Sequence, residues 1–189
     1  MFCFKNETSL KHIGTQDIVT DRFFLRKFQM EDLNDIYNNW TSDSEAAKYN
    51  AWKVHSSINV TKEYLNEWIK QYEKKDYYLW AITDKNTKEV IGSISASNIR
   101  NKKLYCEIGY TVSRKYWNKG IATEVLKSIL NFLTIKVGFK NIRAYHDVKN
   151  IASGKVMQKS GMKYVQNKKQ FFLNSEKLVM DCCVYDYKA

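Results

Sequence analysis

The fold is decided by one stretch, which reads Cys106-Glu107-Ile108-Gly109-Tyr110-Thr111-Val112 and, after three polar residues, Tyr116-Trp117-Asn118-Lys119-Gly120-Ile121-Ala122. Residues 104–113 have the pattern of a strand, and apolar residues then recur at helical spacing from 121 to 137. A second short strand is predicted at 141–146. A strand, a helix and a strand in this order predict a parallel strand pair joined by a right-handed crossover.

Further elements are predicted on both sides of this unit. They are strands at 18–28, 77–83, 89–97, 162–165 and 178–187, helices at 31–40 and 151–160, a loop or broken helix at 41–57, and a helix that begins at Asn59 as N-cap and reaches Tyr72. This order predicts an α/β fold with a mixed sheet. We expect one domain over residues 18–189, preceded by a loose N-terminal extension over residues 1–17.

Composition restricts the function classes. The chain has 189 residues with 44% hydrophobic and 27% charged residues, which is ordinary globular usage. No apolar run is long enough for a membrane helix, and the four cysteines and three histidines lack the spacing of a metal site. We therefore expect a cytoplasmic protein with reduced thiols and no metal. The net charge of +11 suits an anionic ligand or an acidic partner without selecting one.

The entry to the central helix has the character of a phosphate site. Gly120 and Ala122 are small residues at a helix N-terminus, where the first N–H groups have no helical partner and the helix dipole is positive. A diphosphate would fit there, close to Lys119, Arg114 and Lys115. A simple strand-to-helix turn would have the same spacing, and this alternative stays open on the residues alone.

Four blocks of sequence together resemble the GNAT acetyltransferase superfamily. They are Thr20-Asp21-Arg22-Phe23-Phe24-Leu25-Arg26, Glu107-Ile108-Gly109-Tyr110, Tyr116-Trp117-Asn118-Lys119-Gly120-Ile121-Ala122, and Asn150-Ile151-Ala152-Ser153 followed by Lys159-Ser160-Gly161-Met162. Tryptophan at 117, where the superfamily usually has Gln or Arg, is similar to the branch of ribosomal-protein alanine N-acetyltransferases. The resemblance implies a mostly antiparallel sheet with flanking helices, in which the parallel pair splays apart.

The resemblance also implies acetyl-CoA as cosubstrate and a set of residues that bind it. The pantetheine arm would pair with one strand edge, the pyrophosphate would lie on the loop, and the arm would be held from its other side by a short helix. The implied residues are Tyr110, Thr111 and Val112 on the strand, Trp117, Asn118, Lys119, Gly120, Ile121, Ala122 and Thr123 at the loop, and Asn150 and Ser153 at the short helix.

The implied reaction is transfer of acetyl to a primary amine by direct attack in a ternary complex. Glu107 is the candidate base, because its strand position matches a glutamate of the superfamily and its neighbours Cys106 and Ile108 predict partly apolar surroundings. His146 is the rival base. Val156 and Met157 stand where many members have a proton-donating tyrosine, so Ser153 is the candidate that assists the thiolate.

The acceptor site is expected in the N-terminal half. Its candidates are the aromatic residues Trp40, Tyr49 and Trp52, with His146 beside them and Phe171 and Phe172 from the late hairpin. These rings could equally complete a core. The acceptor is either a protein N-terminal amine or a small molecule such as an antibiotic, a polyamine or an amino sugar. A non-catalytic module that binds CoA or nucleic acid is the alternative from another class, and the sequence leaves monomer and homodimer open.

Overall fold

A computed structural model describes residues 9–50, 52–172 and 179–189. Its strands form a single sheet in the order β1-β2-β3-β4-β5-β6-β8-β7. The strands are β1 (Ile18–Val19), β2 (Phe23–Arg26), β3 (Tyr78–Asp84), β4 (Val90–Arg100), β5 (Tyr105–Val112), β6 (Asn141–Asp147), β7 (Lys163–Phe172) and β8 (Val179–Lys188). Among these strands every pairing is antiparallel except that of β5 with β6, as the sequence predicts.

Helices cover both faces of the sheet. They are α1 (Leu33–Ile36), continued by a π-helical turn (Tyr37–Thr41), α2 (Ser44–Ala47), α3 (Ile58–Gln71), α4 (Ile121–Asn131), continued by a π-helical segment (Phe132–Val137), and α5 (Ile151–Lys159). The side chains of β3 alternate between the two faces. Tyr78, Trp80 and Ile82 pack in the core that α4 and α5 cover, whereas Leu79 and Ala81 pack in the core beneath α1 to α3.

Several boundaries differ from the sequence prediction, since β4 extends to Arg100 and β7 to Phe172, where 97 and 165 are the predicted ends. The strand predicted at 18–28 is a hairpin, because the chain turns between β1 and β2. The N-cap of α3 is Ser57 and not Asn59, because the helix already begins at Ile58. The continuous helix predicted at 121–137 is present, and Gly138 ends it in the left-handed conformation with φ of 99°.

The described part of the N-terminal extension packs against the domain. The hydroxyl of Thr15 donates to the carbonyl of Tyr77 at 3.0 Å and accepts from the N–H of Leu79 at 3.0 Å. The indole N–H of Trp80 donates to the carbonyl of Gln16 at 2.7 Å. Residues 9–17 are therefore fixed along β3, although a loose segment is the expectation from sequence; residues 1–8 lie outside the described part.

Glu124 ties the turn before β2 to the start of α4. Its carboxylate accepts hydrogen bonds from the Thr20 hydroxyl at 2.7 Å, from the Arg22 N–H at 2.9 Å and from the Arg22 Nε at 2.7 Å. Arg22 also donates through Nη1 to the carbonyl of Lys119 at 3.0 Å. One partly buried carboxylate thus joins segments about a hundred residues apart and braces the loop that precedes Gly120.

We expect Glu124→Gln to lower stability in a pH-dependent way. Burial alone would raise the pKa of Glu124, but the hydrogen bonds from Arg22 and Thr20 outweigh it and hold the pKa below its ordinary value of 4.5. The stabilisation is therefore complete above pH 4.5 and is lost as the pH falls through the lower folded-state pKa. At pH 7 the variant should lose about 1–2 kcal/mol, as expected for hydrogen bonds to a charged group.

The measurement is urea denaturation between pH 3 and pH 7. The matched control is Glu63→Gln, since Glu63 lies exposed on α3. The difference between the Glu124→Gln variant and the wild type should shrink at acid pH, and the control should show no such trend. An equal loss at every pH would show that the charge of Glu124 is not what stabilises the turn.

Candidate active site

Strands β5 and β6 separate after four residue pairs. They pair from Tyr105 with Asn141 to Ile108 with Ala144, and beyond this point each continues without the other. The gap opens into a cleft of about 920 Å³, which we call the splay cleft. Most of its described lining comes from the second half of β5, residues 116–120 of the loop and the first turns of α4 and α5. The expected splay of the parallel pair is confirmed.

The loop at the mouth of the splay cleft is held by its tryptophan. The indole N–H of Trp117 donates to the carbonyl of Val112 at 2.7 Å, although the ring remains 42% exposed. The backbone then takes left-handed conformations at Asn118, with φ of 61°, and at Gly120, with φ of 75°. This path brings the unpaired first-turn N–H groups of α4 to the edge of the cleft. The indole bond explains why tryptophan suits position 117.

The cations that line the splay cleft differ in part from those predicted. Arg114 forms an ion pair with Asp43 at 3.1 Å, and Lys115 forms one with Glu89, so neither reaches the cleft. Lys119 does line it, and three further lysines do so from the side of α5. These are Lys149, Lys155 and Lys159. Nothing in the local sequence selects these lysines, because their proximity to the loop depends on how α5 docks.

The N-terminus of α5 is capped by Asn150. Its side-chain oxygen accepts the backbone N–H of Ser153 at 3.2 Å. The Tyr110 hydroxyl donates to the carbonyl of Ser153 at 3.2 Å, and burial raises the pKa of Tyr110 far above its usual range. Asn150, Ser153 and Tyr110 therefore meet on one wall of the splay cleft, where their side chains join β5 to α5.

His146 is buried behind α5. Its Nδ1 donates to the carbonyl of Asp147 at 2.8 Å, and its Nε2 is buried without a hydrogen-bond partner within the described part of the chain. A Cβ atom added to Gly154 would lie 2.7 Å from that Nε2. Position 154 is therefore glycine because the imidazole occupies the space of a side chain, which is the packing explanation for a helix-breaking residue inside α5.

Glu107 lies on the opposite face of the sheet from His146. Its Oε1 accepts hydrogen bonds from the Tyr105 hydroxyl at 2.6 Å, the Asn98 amide at 2.8 Å and the Tyr145 hydroxyl at 3.3 Å. The surroundings are polar, and the apolar surroundings expected from Cys106 and Ile108 are wrong, because alternate residues of a strand point to opposite faces. The donors fix the carboxylate at the rim of the splay cleft.

A second cleft of about 700 Å³ adjoins the first along β4 and β5. Many of its lining residues carry rings, and we call it the aromatic cleft; among these residues are Trp52, His55, Tyr64, Trp68 and Tyr77. His55 stacks on Tyr64 at a centroid distance of 4.9 Å, and burial lowers the pKa of His55. The floor is a row of small residues, Ser93, Ser95 and Ser97.

The two clefts meet at Gly109. Both are lined by Ser95, Ser97, Gly109, Tyr110 and Thr111. A Cβ atom at Gly109 would meet only the Ser95 hydroxyl, 4.0 Å away, so no side chain separates the two spaces at this point. Glu107 precedes Gly109 by two residues and therefore projects from the same face of β5. A group bound in one cleft can therefore approach a group bound in the other cleft across Gly109.

The four acceptor candidates from sequence do not share one cleft. Trp52 lines the aromatic cleft, and Trp40 reaches it from a core position with 2% exposure. Tyr49 and His146 instead line the splay cleft. The side chains of Phe171 and Phe172 lie outside the described part. Sequence analysis did not select Tyr64 and Trp68 of α3 as residues of the acceptor site, because their helical spacing also fits a stripe that packs in the core.

The fold and the site define a class of protein. A sheet opened between parallel strands, with a cationic helix N-terminus at its mouth and a second cleft against the open strand, is the architecture of a CoA-dependent acyltransferase. The sequence profile described as "Acetyltransferase (GNAT) domain" matches residues 22–163. The chain therefore belongs to the GNAT family, whose members transfer acetyl from acetyl-CoA.

Individual relatives agree with this assignment. The chain is 28% identical over 142 residues to the uncharacterized N-acetyltransferase YoaA of Bacillus subtilis, covering 75% of this chain and 80% of YoaA. The ribosomal-protein-S5-alanine acetyltransferase of Vibrio fischeri has a solved structure that matches with a TM-score of 0.78 and 19% identity, over 92% of this chain and 96% of that one.

The microcin C7 self-immunity acetyltransferase MccE was solved in complex with acetyl-CoA and AMP. It matches with a TM-score of 0.79 and 15% identity, over 89% of this chain and 93% of MccE. At these identities the two structures show that the fold is shared and nothing further. Within residues 9–50, 52–172 and 179–189, no helix has the length and apolarity to cross a membrane, and no cluster of His, Cys, Asp and Glu could hold a metal.

We expect Gly154→Ala to destabilise the protein by about 1–3 kcal/mol, as overpacked cores do. The added methyl group would collide with the imidazole of His146. Urea denaturation of a double-mutant cycle with His146→Ala measures the coupling. The alanine at 154 should cost much less when His146 has been shortened, and strictly additive costs would contradict the contact.

Proposed function

We propose that this protein acetylates a primary amine, with acetyl-CoA in the splay cleft and the amine in the aromatic cleft. The observation that carries this proposal is the junction at Gly109, where the two clefts meet beside the Glu107 carboxylate. One ligand in each cleft gives a ternary complex, in which direct attack needs no covalent enzyme intermediate because proximity supplies much of the rate.

The chemistry of the splay cleft fits CoA. The pyrophosphate would accept hydrogen bonds from backbone N–H groups between Asn118 and Thr123, a stretch that includes Lys119, Gly120, Ile121 and Ala122. Lys119 and the lysines of α5 supply positive charge there. The pantetheine arm would pair with the open edge of β5 at Tyr110 and Thr111, since edge backbone groups need partners. The Val112 carbonyl is already taken by Trp117, which limits that pairing to the residues before it.

The proposed reaction forms a C–N bond and breaks a C–S bond. The amine nitrogen attacks the acetyl carbonyl, and the nitrogen must shed a proton while the sulfur of CoA gains one. We assign the first task to Glu107, directly or through a water molecule. Support comes from its position at the junction and from the three donors that orient it.

His146 is less suited to the role of base. Its Nδ1 is used by a carbonyl, and its Nε2 is enclosed beside Gly154 on the far face of the sheet from Glu107. For the sulfur, we assign a hydrogen bond to Ser153, which lies in the first turn of α5 and lines the splay cleft. Asn150 acts in this proposal through its cap on α5, which holds Ser153 in place.

Two acceptor classes remain within this function. The Vibrio fischeri neighbour is named a ribosomal-protein-S5-alanine acetyltransferase and MccE was solved with acetyl-CoA and AMP, but at 19% and 15% identity neither selects the acceptor of this chain. A non-catalytic module that binds nucleic acid gains no support from the aromatic cleft, because no Lys or Arg is found among its described lining residues. Localisation in the cytoplasm stays a prediction, and monomer and homodimer are both open.

We expect Ala122→Asp to weaken acetyl-CoA binding at least about tenfold in a protein that remains folded. Ala122 lies in the first turn of α4 and lines the splay cleft, so a carboxylate there would repel the diphosphate. A negative charge in the first turn is favoured by the helix dipole, and because Ala122 also packs against the core, urea denaturation of the variant checks that it is folded. The matched control is Asn131→Asp, which changes the charge equally at an exposed position of the same helix.

Isothermal titration calorimetry with acetyl-CoA tests this expectation. The Ala122→Asp variant should show at least a tenfold weaker affinity, and the Asn131→Asp variant should bind as the wild type does. If both variants bound acetyl-CoA like the wild type, the loop would not be the pyrophosphate site.

We expect Glu107→Gln to slow acetyl transfer by about 10²–10³-fold, the effect of a lost general base. The amide keeps the shape and can still accept from Tyr105, so the fold and acetyl-CoA affinity should change little. The acidic limb of the pH–rate profile should disappear together with the rate. Retention of both would assign the base to another group or to amine that is already neutral in solution.

A further inference from the structure

The aromatic cleft has a charge character opposite to that of the whole chain. The chain carries +11, yet the described lining residues of the aromatic cleft include no Lys and no Arg. Asp76 is the carboxylate among them. Burial raises the pKa of Tyr77 to about 12 and lowers that of His55, so both are neutral near pH 7. The cleft therefore has one carboxylate, Asp76, at its exposed rim and several rings on its walls.

The walls of the cleft are built to contact a flat group. Trp52 meets the edge of His55 at a centroid distance of 6.1 Å, and His55 stacks in turn on Tyr64. The His55 ring is locked because its Nδ1 is bonded to the Thr61 hydroxyl at 2.8 Å. Thr61 is itself bonded to Thr41 at 3.0 Å in the core. A pre-ordered aromatic wall favours an aromatic ligand, because little side-chain freedom is lost on binding.

The charge of the aromatic cleft disfavours acceptors that carry several negative charges and acceptors that carry several positive charges. An acidic peptide would find no cation to pair with inside the cleft, and a polyamine would find a single carboxylate for several charges. A monoamine arrives as an ammonium ion, which the ring faces and Asp76 both attract. The volume of about 700 Å³ is that of a small-molecule site.

We propose that the acceptor is a small arylalkylamine, a primary monoamine that carries one flat aromatic or heteroaromatic ring. This inference rests on the proposed function and specifies its acceptor. The ring lies against the wall that Trp52, His55 and Tyr64 form, and the amino group points along the serine row of β4 toward Gly109. There the nitrogen comes within reach of Glu107, with which Asn98, at the end of that row, shares a hydrogen bond.

The test measures thiol release from acetyl-CoA by the full chain with four acceptors of distinct chemistry. These are tryptamine, butylamine, spermidine and a peptide that begins with alanine followed by acidic residues. The expected result is a kcat/KM for tryptamine at least about tenfold above the other three, as burial of an additional apolar group gives. Acetyl-CoA affinity is measured in parallel by calorimetry.

A variant then tests the location of the ring. Trp52→Ala should lower kcat/KM for tryptamine about tenfold, mainly through KM, and should leave butylamine within about twofold. The control is Tyr164→Ala, an exposed aromatic position on β7 outside the aromatic cleft. The Tyr164→Ala variant should leave kcat/KM unchanged for both tryptamine and butylamine. An equal effect of Trp52→Ala on tryptamine and butylamine would overturn the assignment of the ring to this wall.

The outcomes separate the two proposals. Faster transfer to the peptide or to spermidine than to tryptamine would overturn the arylalkylamine inference and leave amine acetylation intact. Equal rates with tryptamine and butylamine would also overturn it. Failure to bind acetyl-CoA, or binding without transfer to any of the four amines, would overturn the proposed function itself.

Discussion

Strands β5 and β6 separate beyond Ile108 and Ala144, and both clefts of the molecule take their positions from this opening. Each strand stays paired on its other side, β5 with β4 up to Val112 and β6 with β8 up to Asp147. Only the two facing edges are opened, and their backbone groups need partners. The chain supplies one of them itself, since Trp117 bonds the Val112 carbonyl. The rest of the edge is left for a ligand that can pair as a strand does.

The two clefts of this molecule differ in the charge of their lining residues. Lysines from the loop and from α5 converge on the splay cleft, whereas Arg114 and Lys115 of the same loop are neutralised by Asp43 and Glu89. The aromatic cleft on the other side of the junction carries an acid. The net charge of +11 therefore matches the character of the splay cleft alone. A ligand assigned from that value would not suit the aromatic cleft.

Local periodicity was enough to predict much of the fold. The helix that follows Gly120, the meander before it and the parallel pair are present as their spacing indicates. The hairpin at Thr20–Arg22 could not be foreseen, because it is stabilised by Glu124, about a hundred residues away. The capping role of Asn150 is local and leaves a signal in the sequence. The contact that requires glycine at position 154 depends on the docking of α5 against β6, and it leaves no signal in the local sequence.

The candidate site was predictable to a similar extent. Motifs located the loop, the strand edge and Glu107 by resemblance, but they did not reveal what surrounds the carboxylate. Its donors come from β4, β5 and β6, and only the register of three strands brings them together. The aromatic cleft combines residues from α3, β3 and the segment before α3, so helical spacing in α3 could not distinguish a pocket wall from a core stripe.

The junction at Gly109 also bears on the order of events in a catalytic cycle. The exposed Trp117 borders one cleft and the exposed Tyr64 borders the other, so each space has its own route from solvent. Neither ligand has to pass through the site of the other. Kinetically, such a geometry permits random addition of the two substrates. It also permits a dead-end complex in which spent CoA remains while the next acceptor is already bound, and such complexes are a structural origin of substrate inhibition.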